Sequence, residues 1–288
     1  VLVCTKNVAN YVNLGTGKVG ALINGKARVS VHALVQYSSL DTVTPPCDRV
    51  LCVIASAATS GFNLATDGAS HLRLNARSVS TDAGQDTTGA TLIATNVQHS
   101  VGAVADFTAK TGKVFLDGKL DGSASSLVWA NNSFTLGSPT TGDCISGNAT
   151  PPTGTTTQVN GRVGELALWG DALGVGDFQL LAEGVPAPLV RPEALLMYLP
   201  LVGQDATAFD PRSAINGTLV GALPPADHPR LLIPERRRIL RKNKSGGGGS
   251  GGGPEIVLGL LDESVTRERK RRRLARLGLG LGIASRRP

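Results

Sequence analysis

Between residues 28 and 36 apolar and polar positions alternate. Val29, Val31, Ala33 and Val35 fall on one side, and Ser30, His32, Leu34 and Gln36 on the other. That period of two predicts a strand with one face on a core. Residues 50–55 form an unbroken apolar run, which predicts a buried strand. Residues 61–65 and 72–75 flank Asp67-Gly68, and residues 113–116 run into Asp117-Gly118, so both pairs predict hairpins. Residues 101–107, 132–137 and 196–201 read as further strands, and 1–11 as strand-like. The turn-rich stretch 13–17 and the polar stretches 78–89 and 140–158, the last with Pro151-Pro152 and repeated threonines, read as turns and loops.

Residues 159–184 carry the most organised pattern. Val163, Leu166, Leu168 and Trp169 predict a partly alternating strand whose large side chains cover a sheet core. A turn follows, then Phe178, Leu181 and Ala182 at helical spacing, with Gly184 placed as a C-terminal stop.

Composition agrees with this pattern. Thirty-six glycines, sixteen prolines and few aromatics favour short strands joined by tight turns over a helical bundle. The fold expected is all-β, and 288 residues allow one large sandwich with appendages.

Several motifs resemble laminin-G-like domains of the concanavalin A-like lectin and glucanase superfamily. Gly161, Val163, Gly164, Glu165, Leu166, Leu168, Trp169, Ala172, Leu173, Asp177 and Phe178 match the closing strand, turn and helix of that family. The stretches GFNLATDGASHLRLNARS and TGKVFLDGKLDGS are similar to its two hairpins, and YVNLG to its opening strand. The resemblance covers residues 1–222 and implies a concanavalin A-like jelly-roll sandwich. Residues 197–222 resemble the sequence that usually opens such a domain, so 194–222 are expected to fold back as a strand pair on the sandwich edge. Beyond them lie a basic, proline-punctuated arm (223–244), a Gly/Ser linker (245–253) and a basic C-terminal tail (254–288).

Charge divides the chain sharply. From residue 229 onward there are 16 Lys and Arg against 5 Asp and Glu, a balance of +11, which leaves −4 on the remainder of a chain whose net charge is +7. A cationic extension on a mildly acidic body points to an anionic partner, with a solvated tail as the alternative. Asp227, His228, Pro229 and Pro234 resemble the arm that follows such a sandwich in virion proteins of tailed bacteriophages. That likeness implies a capsid decoration protein, oligomeric within an assembly and held by the arm and tail. Arg236, Arg237, Arg238, Arg241, Lys242, Arg269, Lys270, Arg271, Arg272 and Arg273 are the expected contacts to the major capsid protein, other virion chains or packaged DNA. A tail or baseplate adhesin taking host glycans is the alternative, with Trp129, Tyr37 and Tyr198 as stacking candidates. The protein is expected in the virion after synthesis in the host bacterial cytoplasm, without a membrane segment.

Catalytic signals are missing from the pattern. Glycan hydrolysis on this type of sandwich needs a close carboxylate pair, whereas Glu165 stands alone on its strand, so no enzyme is expected and Glu165 reads as a hydrogen-bonded structural carboxylate. No phosphate-binding or dinucleotide motif occurs, and no cofactor is expected. Asp67, Asp82, Asp86 and Asp143 lie in stretches that could meet at one edge, but without the spacing of a calcium loop. Cys4, Cys47, Cys52 and Cys144 lack zinc-site spacing. Cys47 and Cys52 can bridge across a loop, with buried thiols in a reduced compartment the preferred reading. His32, opposite the valines, is expected to be packed rather than a ligand.

Overall fold

A computed structural model describes residues 2–4, 11–40, 48–57, 59–146, 158–201, 207–209 and 215–220. In chain order the elements are β1 (Leu2–Cys4), β2 (Tyr11–Thr16), α1 (Lys18–Ile23), β3 (Arg28–Ser39), β4 (Arg49–Ser56), β5 (Thr59–Thr66) and β6 (His71–Ala76). Next come β7 (Gln85–Leu92), β8 (Gln98–Asp106), β9 (Thr111–Leu116), β10 (Lys119–Ala124), β11 (Gly142–Ile145) and β12 (Asn160–Trp169). The described part closes with α2 (Val175–Ala182), β13 (Leu195–Leu199), β14 (Thr207–Phe209) and β15 (Asn216–Val220).

The strands form two antiparallel sheets, an all-β sandwich. One has seven strands in the order β1-β12-β3-β8-β9-β10, with β13 sharing the β12 edge. The other has eight, β14-β15-β2-β11-β4-β5-β6-β7. Thus β13 extends the first sheet, while β14 and β15 lie at one edge of the second. Between the sheets, Val29, Val31, Ala33 and Val35 of β3 share one core with Leu51 and Val53 of β4, Phe62 and Leu64 of β5, and Leu72 and Leu74 of β6. Each buried side chain of this size contributes about 1.5–3 kcal/mol, so strand alternation alone fixes which face turns inward.

Local chemistry sets the turns. Asp117 and Gly118 both have positive φ (50° and 76°), and Leu116 faces Lys119 across them, the two-residue geometry that suits the twist of a hairpin. The Asp67 turn is longer, because Asp67 accepts hydrogen bonds from the amides of Ala69 (2.9 Å) and His71 (2.8 Å). Gly184, at φ 88°, ends α2, and its amide bonds back to Leu181.

The structure departs from the sequence expectations in several places. Residues 85–92, within and beyond the stretch read as a loop, form β7, whose inward positions Thr87 and Gly89 are small and give no apolar alternation. The polar stretch from residue 140 contains β11, inserted between β2 and β4. Residues 132–137 form no strand; Phe134 is buried there against Phe107, and its backbone bonds to Gly25 and Lys26. The turn-rich 13–17 is mostly strand, since β2 runs to Thr16.

In β12, one extra residue relative to β3 between Gly164 and Ala167, with Glu165 at φ 53°, forms a bulge. It brings Val163, Leu166 and Leu168 all to the core and turns Trp169 to the opposite face, which corrects the expectation that all four cover one core. At the far side, the edges of the two sheets pinch together. A Cβ on Gly89 would lie 1.9 Å from Asp121 Oδ2, one on Gly122 2.2 Å from the Thr88 carbonyl oxygen, and Asp121 accepts the Thr91 amide at 3.1 Å.

Candidate functional site

The outer face of the seven-stranded sheet is sealed by the chain itself. Trp169, Val104 and Phe115 meet Phe178 and Leu181 of α2 and Val190 in a second apolar cluster. The Phe115 and Phe178 rings stack with centroids 4.0 Å apart, and Gly102 lies so close beneath that a Cβ would fall 2.2 Å from Phe178. The Trp169 indole donates to the Val190 carbonyl (2.8 Å). Asp177 accepts the Gly174 amide (2.9 Å) and fixes the start of α2.

Beside this cluster runs a buried polar line. His32 Nε2 and Ser100 Oγ share a hydrogen bond (2.9 Å), and Tyr198 donates to Glu165 Oε2 (2.7 Å). Burial pushes the His32 imidazole down to about 3, with a weaker opposing pull from the Glu165 backbone, so it stays neutral. Ser100 and His32 are 7% and 2% exposed and Glu165 2%. His32 is packed, as its place opposite the valines implies, and Glu165 accepts the Tyr198 hydroxyl.

The outer face of the eight-stranded sheet has a different character. Direct strand partners line up as Asn13, Cys144, Cys52, Asn63, Asn75 and Asp86, with Arg49, Ala65, Arg73 and Thr88 in the neighbouring row. Residues opposed in this way share a face. The centre, Cys52, Ile54 and Cys144 with Tyr11 against them, is closed to solvent and apolar. Toward β6 and β7 the face opens. Arg73 Nη2 donates to both Asp86 oxygens at 2.7 Å, and Asn75 Nδ2 to Asp86 Oδ1 at 2.5 Å, with Asp86 45% exposed. Asn63 Oδ1 and Arg73 Nε are buried with no hydrogen-bond partner. Gly84 keeps the space over Asn75 clear, since a Cβ there would lie 2.7 Å from Asn75 Nδ2.

The four aspartates do not converge. Asp67 holds its own turn, where burial is outweighed by hydrogen bonds from His71 and Ala69 that keep it below the usual carboxylate range. Asp82 accepts from Ser78 and the Val79 amide, and Asp86 pairs with Arg73. Asp143 is fully buried, accepting the amides of Val19 (2.8 Å) and Gly20 (3.3 Å) at the start of α1 and that of Ile54 (2.7 Å). Burial pushes it up to about 6 even against those three amides. Among the described residues no group of three or more His, Cys, Asp or Glu is arranged to hold a metal.

Of the three stacking candidates, Trp129 and Tyr37 are buried, Trp129 against Phe107 with its indole bonded to Ala76. Only Tyr198 is half-buried, and its hydroxyl is taken by Glu165. The half-buried aromatic on the eight-stranded face is Tyr11, the first residue of the YVNLG motif, which was not among the stacking candidates. Cys4, Cys52 and Cys144 are buried thiols, with no disulfide among the described residues. Cys47 and the basic residues Arg236, Arg237, Arg238, Arg241, Lys242, Arg269, Lys270, Arg271, Arg272 and Arg273, with the whole of 223–288, lie outside the described residues. Among the described residues no helix is long and apolar enough to cross a membrane.

No family model matches the chain, and no curated protein matches it. Among solved structures it is similar to a protein from Bacteroides ovatus assigned to carbohydrate binding (15% identity, TM-score 0.49), covering 74% of this chain and 58% of that one. It is also similar to the CBM40 of Ruminococcus gnavus IT-sialidase bound to α2,3-sialyllactose (14%, TM-score 0.48, covering 62% of this chain and 95% of that one). A third is the heptameric SAP-like pentraxin of Limulus polyphemus (11%, TM-score 0.46, covering 62% and 78%). The chain thus spans less than two thirds of the Bacteroides protein.

Proposed function

We propose that the sandwich is a non-enzymatic, concanavalin A-like binding module of a tail or baseplate adhesin, and that its ligand is a host glycan taken on the β6–β7 flank of the eight-stranded sheet. The observation that carries this reading is the exposed Arg73–Asn75–Asp86 group. A carboxylate, an amide and a guanidinium are held there in fixed mutual orientation by bonds of 2.5–2.7 Å. Sugar hydroxyls both donate and accept, so adjacent fixed donors and acceptors suit them better than a single charge. Asp86 still has lone pairs open to solvent. Glycan-array binding by the full chain tests the reading. Binding that Asp86→Ala abolishes is the expected result, and an array without any binder, or one unchanged by that substitution, overturns it.

A second reading rests on the charge of the C-terminal extension. In it the protein is a capsid decoration protein of a tailed bacteriophage, anchored through residues 223–288, whose basic side chains meet acidic capsid faces or packaged DNA. Segments that order on binding cover large surfaces at an entropic cost. Deleting residues 245–288 is expected to release the protein from particles, and unchanged particle occupancy removes this reading.

A further inference from the structure

We propose that Cys52 and Cys144 form a pair of thiols that oxidation joins into a disulfide between β4 and β11. The two residues are direct partners in adjacent antiparallel strands and point to the same face, where they pack together with Ile54 and Tyr11. Directly opposed residues in such strands have Cα atoms about 4.5–5.5 Å apart, within the roughly 4.4–6.8 Å that a disulfide spans. No strand has to move to bring them together. β11 is four residues long and shifts register between Asp143 and Cys144, so it can absorb the small adjustment that bond formation asks of the backbone.

A cation also lies beside the pair. Arg49 Nη1 is 3.8 Å from Cys52 Sγ, and a guanidinium at that range favours a thiolate. The Cys144 thiol is raised above its ordinary value, first by its hydrogen bond with Cys52 and then by burial, with Arg49 pulling the other way.

With a small-molecule disulfide as oxidant, one of the two cysteines, reached as a thiolate when the short β11 opens locally, attacks one of its sulfurs, the S–S bond breaks, and one thiolate leaves. The other cysteine then loses its proton and attacks the protein sulfur of the mixed disulfide, expelling the second thiolate. Two protein thiols are oxidised to one disulfide, and the small disulfide is reduced to two thiols. Such a bond persists in oxidising surroundings and opens in a reducing cytosol, so the locked sheet belongs to the protein after it has left the cell that made it. This does not depend on the glycan reading.

Native full-length protein is treated with oxidised glutathione, alkylated and mapped without reduction. The expected product is a peptide pair linking Cys52 to Cys144, with Cys4 alkylated. In Cys144→Ser and in Cys52→Ser the second step has no partner, so the linked peptide pair is expected to be lost in each. Linkage of Cys52 to Cys47 instead, or full alkylation of both Cys52 and Cys144 in the wild-type chain after treatment, overturns the proposal. Both outcomes are read on the unmutated protein, so a folding defect in a variant does not obscure them.

Discussion

The outer faces of the two sheets solve the same problem in opposite ways. On the seven-stranded sheet, Trp169, Phe115 and Val104 are apolar, and the chain returns through α2 and residues 187–190 to cover them. On the eight-stranded sheet, the positions near β6 and β7 are polar and stay open, held by hydrogen bonds among Arg73, Asn75 and Asp86. A face that buries its aromatics gains stability but offers nothing to a ligand. A face that spends its side chains on exposed polar bonds gains little stability, because such bonds replace equally good ones to water, and it remains available for recognition.

Substitutions sharpen this contrast, the largest first. Phe178→Ala removes the ring stacked on Phe115 and leaves a cavity over Gly102, so unfolding by denaturant should show a loss of about 3–5 kcal/mol, with glycan binding retained at temperatures where the protein is folded. A pH series comes next, because His32 on one sheet and Asp143 on the other are buried groups displaced in opposite directions, so their effects oppose. His32, lowered to about 3, contributes stability that is present above its unfolded value near 6.5 and lost as pH falls. Asp143, raised to about 6, contributes stability that is present below its unfolded value near 3.8 and lost as pH rises. Between pH 4 and 6 each slope is about 1.4 kcal/mol per unit and they cancel. The wild-type chain should therefore show a nearly flat stability across that window. In Asp143→Asn stability should climb with pH, and in His32→Gln it should fall. Parallel slopes in the two variants would contradict the assignment. The smallest effect belongs to the open face: Asp86→Ala should change stability by less than about 1 kcal/mol while removing glycan binding. A large loss of stability there would mean that the Arg73–Asn75–Asp86 group is structural after all.

What was legible in the sequence follows the same division. Val29 to Val35 and the Asp117-Gly118 turn announced themselves, because burial on one face imposes a period of two and a tight hairpin demands residues that accept positive φ. β7 and β11 did not. Their inward side chains include Thr87, Gly89 and Asp143, and what stabilises them is a neighbour distant in sequence, such as the start of α1 for Asp143. The polar face was invisible for the same reason. Asn63, Asn75 and Asp86 come from three strands, and only the register brings them into one row. The bulge at Glu165 shows a middle case: the broken alternation of Val163, Leu166 and Leu168 was visible, but its cause was not.

The pinched side of the sandwich carries a last consequence. Bare strand edges recruit other chains into growing ribbons, and here β7 and β10 shield one another because Gly89 and Gly122 let their backbones close up and Asp121 caps the Thr91 amide. A bulky residue at Gly89 would pry this hem apart and leave two templates for polymerisation. The same glycines that look like weak points in the strands thereby keep the protein from turning into fibres.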